Sequence, residues 1–233
     1  MSNLVLWGHH SDEYQEMFDL SPDSLNGRLL EYGSGPSAFN AEVHQAGKQC
    51  VSCCPLFALD KDTLSSKAVL VFADMAEQVR EERDKFDFSH YGSFEGLLEQ
   101  RRAGMATFFA DYELGKKEKR YLPIQDIILP FANFSFDLAL SSHYLFGELE
   151  NQDLDFHIAV IKELARVAKE VRIFPLIDRE GQPSPFLGPV LLGLQQENYG
   201  TEVRNVNYLL QAQGNAMLRV WAQECPLSGY RPL

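Results

Sequence analysis

Residues 29–37, Leu29-Leu30-Glu31-Tyr32-Gly33-Ser34-Gly35-Pro36-Ser37, constrain this chain more than any other stretch. A short apolar run ends in an acidic residue, and two glycines then turn the backbone sharply toward a helix. Without a Cβ, glycine lets the backbone take left-handed angles and lets a ligand come close. The helix that follows offers unpaired N–H groups at its N-terminus. A strand, a glycine turn and a helix in that order open the ligand crevice of a doubly wound α/β sheet.

The rest of the chain reads in keeping with such a sheet. Residues 4–20 form an amphipathic lead-in, with Tyr14, Met17 and Phe18 on one helical face. Strands are expected at Arg28–Tyr32, Gln49–Cys53, Arg120–Ile124, Phe136–Ser141 and Val171–Leu176, and helices over Ala38–Ala46, His157–Lys169 and Phe186–Asn198. Between the second and third strands two helical segments, roughly 62–84 and 94–113, stand where one crossover helix suffices. The region around 85–115 therefore reads as a helical insertion: a lid, a substrate wall or a dimer surface. Glu202–Leu210 and Ala216–Ala222 read as strands joined by a connection too short for a crossover, so they pair antiparallel. The expected fold is a single Rossmann-like α/β domain over residues 1–233. It has about seven strands, the last antiparallel, and helices on both faces.

Bulk properties narrow the function. A net charge of −12 argues against a nucleic-acid partner, which needs a basic surface. No apolar run is long enough to span a bilayer, and no secretory leader is evident at the N-terminus. Four cysteines are too few for a disulfide scaffold, and adjacent Cys53 and Cys54 suit a bridge poorly. A cytoplasmic protein without nucleic-acid or membrane partners is expected, and a homodimer is left open.

Taken in order, the motifs resemble those of class I S-adenosylmethionine-dependent methyltransferases, over roughly residues 10–222. Glu31, Gly33 and Gly35 match that family's first motif, with Ser37 where a third glycine often stands. Leu129-Pro130-Phe131 followed by Phe136-Asp137-Leu138-Ala139-Leu140 looks like its fourth-strand signature, and the closing hairpin is similar to its antiparallel end. The resemblance implies S-adenosylmethionine as cofactor and methyl transfer to an O or N atom of a small molecule.

The site residues it implies fall on the loops after the strands. Glu31, Tyr32, Gly33, Ser34 and Gly35 would lie near the methionine part of the cofactor. Cys54 and Leu56 would sit beside the ribose and adenine, and Gln125 and Asp126 near the adenine amine. Asp126 could instead brace the turn to Pro130. Tyr14, with Trp7, His9 and His10, belongs to a segment that covers the cofactor in such proteins. Ser141, Ser142, His143 and Tyr144 follow the fourth strand, where cofactor and acceptor meet. His143 is the candidate general base, because an imidazole titrates near neutral pH; the alternative is a histidine that only shapes the pocket. Gln211, Gln213 and Asn215 in the hairpin loop either touch substrate or simply form the turn.

One position departs from the family. An acidic residue after the second strand would accept from the ribose hydroxyls, and here Cys54 stands in its place. A thiol is a poor acceptor, and losing one charge-assisted contact costs roughly 1.5–3 kcal/mol. A non-catalytic binding protein built on the same frame is thus a second reading. A nicotinamide oxidoreductase is a third, through Gly33, Gly35 and Ala38 as a looser fingerprint, but it requires an all-parallel sheet. The cluster His9-His10-Ser11-Asp12-Glu13 invites a metal, yet adjacent histidines diverge, and no metal site is expected. Arg172, in an otherwise apolar strand, is expected to pair with Glu170 or Asp137, and the helix from Phe94 to Tyr112 to pack as core.

Overall fold

The computed structural model describes residues 7–146, 152–178, 180–211 and 214–222. In chain order these form α1 (Ser11–Met17), β1 (Arg28–Tyr32), α2 (Phe39–Gln45), β2 (Gln49–Cys53), α3 (Lys61–Glu81), α4 (Phe94–Lys117), β3 (Tyr121–Leu122), β4 (Phe136–Ser142), α5 (Leu154–Val167), β5 (Ala168–Phe174), α6 (Leu187–Gln196), β6 (Tyr199–Asn205) and β7 (Ala216–Ala222). The strands make one seven-stranded sheet in the order β3-β2-β1-β4-β5-β7-β6. β1 to β5 are mutually parallel, and β7 lies antiparallel between β5 and β6. This is the Rossmann-like arrangement expected from the motif order. The antiparallel β7 removes the all-parallel sheet on which the nicotinamide reading depended.

Strand residues alternate between two cores, as the two-residue period of a strand requires. Leu29, Leu138 and Leu140 face the layer of α1, α2 and α4 together with Phe39 and Met17. Leu30, Ala139, Val171 and Ile173 face α5 and α6 together with Val160, Ile161, Leu164 and Val190. α5 begins at Leu154, earlier than its apolar spacing indicates, because Asp153 caps it by accepting from the Phe156 amide. β3 shrinks to two residues, since only Ser52 and Cys53 of β2 have partners there.

The β2–β3 connection resolves into two roles. α4 packs against β3 and α2, with Phe108 and Tyr112 buried beside Tyr121, so it is the helix that covers the sheet. α3 lies against α4. Arg172 pairs with Glu170 at 2.6 Å, whereas Asp137 holds Arg28 and Lys169. The turn to Pro130 is braced by Glu163, which accepts from the Leu129 amide at 2.6 Å, and by Arg166, which donates to the Leu129 carbonyl. Asp126 takes no part in it.

Candidate functional site

Strand order reverses between β1 and β4, and their C-terminal ends define the crevice where open α/β sheets bind ligands. Gly33 and Gly35 stand at its edge with φ of +77° and +61°, left-handed angles that a side chain would strain. A Cβ on Gly33 would lie 2.3 Å from the Tyr144 ring, and one on Gly35 would lie 2.6 Å from the Trp7 indole nitrogen. Two aromatic side chains thus lie directly against the glycine turn, one from the lead-in and one from the loop after β4. The lead-in is tied down beside it: the Gly8 amide donates to the Pro36 carbonyl and the Ala38 amide to the His9 carbonyl. Ser37, at the place of a third glycine, accepts from the Phe39 amide and donates to the His9 carbonyl.

Glu31 ends β1 almost wholly buried. Its carboxylate accepts from the Tyr14 hydroxyl at 2.6 Å and from the Ser52 hydroxyl at 2.5 Å. Asn40 donates to Ser52 in turn and accepts from Arg120, which is itself clamped by Asp111. Among the described residues no cation pairs with Glu31. Burial pushes its carboxyl above the usual range, and the hydroxyl donors offset only part of this. Tyr14 stacks on Phe39 at 4.3 Å.

The other positions separate by exposure. Cys54 is buried among Phe57, Leu64, Phe108 and Tyr112, where burial pushes its thiol up to about 12. It presents no charged acceptor. Leu56 packs half-buried beside that cluster, and Gln125 and Asp126 lie exposed on the loop after β3. Tyr32 meets Tyr144 edge-on at 5.5 Å. Ser34 is buried, and its hydroxyl makes a long bond to the Gly35 carbonyl. Ser141 is buried with its hydroxyl unpartnered.

His143 takes a left-handed φ of +54°, and its amide donates to the Phe174 carbonyl. Its Nδ1 pairs with the Ser142 hydroxyl at 2.8 Å, and its ring stacks on that of His9 at 4.6 Å. Burial, reinforced by the nearby Arg101 cation, lowers its imidazole to about 3. Such a ring is neutral at physiological pH and a weak base, suited to hydrogen bonding rather than proton abstraction. His9 is held low by the same burial and the same cation, and its Nε2 has no partner.

Behind these histidines lies a cluster that the motif reading did not single out. Arg101 of α4 and Glu13 of α1, both with fully buried side chains, form a bidentate pair at 2.7 and 2.8 Å. The Tyr91 hydroxyl donates to Glu13 and contacts the Tyr208 hydroxyl at 2.6 Å. Burial opposes the charge on Glu13, but Arg101 outweighs it and holds the carboxyl below its usual range. Tyr208 also bounds, with His143, Phe174 and Gln211, a cavity of about 10 Å³ at the end of β5. This volume holds about one water. Gln213 lies outside the described residues. His10 is taken by Glu42 at 2.6 Å. Among the described residues no three His, Cys, Asp or Glu side chains converge as a metal site.

No protein-family model matches the chain. An uncharacterised protein of Methanocaldococcus jannaschii is 26% identical over 219 residues, 94% of this chain and 96% of that protein. Among solved structures, the chain is similar to the pyocyanin biosynthetic protein PhzM, at 13% identity and a TM-score of 0.45 over 95% of its length. It spans only 55% of PhzM. The methyltransferase domain of bacterial Hen1 matches at 12% identity and a TM-score of 0.45, over 87% of this chain and 93% of that one. The glycopeptide N-methyltransferase MtfA, complexed with S-adenosyl-L-homocysteine, matches at 8% identity and 0.41, over 85% and 84%. Likenesses of this size leave the chemistry of the site to be read from its own residues.

Proposed function

We propose that this chain is an S-adenosylmethionine-dependent methyltransferase acting on an O or N atom of a small molecule. One observation carries the reading: a glycine turn with two left-handed residues at the β1/β4 switch point, flanked by a buried carboxylate without a cation. The donor is a sulfonium cation, and the surroundings suit one. Glu31 supplies negative charge in a low-dielectric site, and Trp7, Tyr144, Tyr14 and Tyr32 supply aromatic faces that attract cations. Gly33, Ser34 and Gly35 would hold the methionine part, with Trp7 and Tyr144 turning aside from the glycines. Cys54, Leu56, Gln125 and Asp126 would flank the nucleoside.

The bound donor supplies an electrophilic methyl group. The protein's own part is alignment, which can account for much of a transfer rate. His143, neutral and fixed by Ser142, orients the acceptor through a hydrogen bond. The free cysteines Cys50, Cys53 and Cys54 accord with a reducing compartment, and no helix among the described residues is long and apolar enough to cross a membrane.

Titration calorimetry with S-adenosylmethionine and its demethylated product tests the reading. Micromolar binding that disappears in Gly35→Val is the expected result. Absence of binding at millimolar ligand would overturn it. The second reading, a binding protein without turnover, draws on Cys54 in place of a carboxylate and on the aromatic cover of the glycines. Donor binding without methyl transfer to any acceptor in a panel of phenols, amines and carboxylic acids would favour it.

A further inference from the structure

A groove of about 600 Å³ runs between α3 and α4, lined by Ala68, Val69, Phe72, Ala76, Leu98 and Met105 among others. Arg102 lies over the Phe72 ring at 4.7 Å, and Val69 is 65% exposed. An apolar channel between two long helices, floored by alanines, has the form that accepts a third helix.

The helix that fits is α3 itself. Its groove-facing stripe runs Ser65, Val69, Phe72, Ala73, Ala76 and Arg80 at helical spacing, and Asp62, at the helix's N-terminal end, lies in phase with Arg80. Asp62 and Arg80, both exposed, stand five full turns apart at about 3.6 residues per turn, near opposite ends of the stripe. Laid antiparallel on a copy of itself about Val71, the stripe sets Asp62 against Arg80 of the second copy. The two-fold axis repeats the pair, and Val69 then meets Ala73 while Ser66 meets Ala76. Charge therefore matches at both ends, and small side chains in these middle pairs let the two helices approach, which suits an isologous contact. We propose that the chain forms a two-fold dimer in which each α3 lies in the α3/α4 groove of the other copy, making a four-helix interface. α4 carries the groove on one flank and Arg101 on the next, so the dimer would clamp the helix that supports the Glu13 cluster.

Sedimentation velocity on the full chain across a dilution series tests this. Wild type is expected at twice the 26.4 kDa chain mass. Val69→Glu, at an exposed position, should keep the thermal melt and weaken the dimer about a hundredfold. Asp62→Arg and Arg80→Asp should each weaken it about tenfold, and the double charge swap should restore it, since the pairs re-form reversed. A wild-type monomer at every concentration, or a dimer indifferent to Val69→Glu, would overturn the proposal. Failure of the double swap to rescue would overturn the antiparallel register.

Discussion

Two buried glutamates, one in the lead-in helix α1 and one at the end of β1, meet opposite fates. Glu13 faces α4 and finds the Arg101 guanidinium, so its carboxyl titrates lower than usual. Glu31 faces β2 and finds neutral hydroxyls, chiefly those of Ser52 and Tyr14, so burial leaves its carboxyl titrating higher. Both are removed from water, and the difference lies wholly in the partner. A paired buried charge is a structural clamp that fails badly when half of it is removed. A buried charge held by neutral donors is left electrostatically short, and a cationic ligand can complete it.

Removing Arg101 breaks that comparison most severely. Arg101→Leu should lose about 3–5 kcal/mol of stability in urea denaturation, because Glu13 is left buried and unpaired. The double variant Glu13→Leu with Arg101→Leu should recover much of this. If the single variant costs no more than the double, the pair is not the clamp described.

A pH series sharpens the contrast. Glu13, with its folded pKa lowered, contributes stability above its ordinary range near 4.5 that is lost as pH falls through the folded value. Glu31, with its folded pKa raised, does the reverse: protonation favours the fold. His143 adds a third sign. Its folded pKa of about 3 lies below the ordinary 6.5, so stability is lost as pH drops below 6.5, by up to about 1.4 kcal/mol per pH unit. Differential calorimetry of His143→Gln between pH 7 and 5 should therefore show a shallower acid loss than wild type, and an unchanged slope would place the imidazole in water.

Glu31→Gln should act on function more than on the fold. Stability at pH 7 is expected within about 1 kcal/mol of wild type, since the amide can still bond both hydroxyls. Affinity for S-adenosylmethionine should fall about tenfold, or about 1.4 kcal/mol, when the charge is gone. Equal binding by the variant would detach Glu31 from the donor site. The smallest effect is expected at the exposed Lys162–Glu197 pair, where Lys162→Ala should change stability by under about 0.5 kcal/mol.

Much of the frame was legible before any coordinates. The Glu31-to-Ser37 run, the Leu129-Pro130-Phe131 turn and the short link before Ala216 each encode a local backbone event. Such events depend on neighbours within a few residues. The Glu13 cluster was not legible in this way. Arg101 sits at helical spacing among Phe94, Leu97, Leu98, Gly104 and Phe108, and a cation on that apolar face was the available signal. Its partner, 88 residues away in sequence, was not. His143 invited a base from its residue type and its place after β4, but its depressed pKa comes from burial by the surrounding walls and from the Arg101 cation.

What the chain determines by itself is therefore the sequence of elements, the face each apolar period buries and the turn at which a ligand can approach. These follow from glycine's missing Cβ, the two-residue strand period and the 3.6-residue helical period, all of which act locally. The tertiary structure alone decides which buried charge meets a counter-charge, which imidazole stays neutral and which aromatic rings close over the glycines. Those outcomes depend on distance and dielectric between segments that meet only when the sheet has closed.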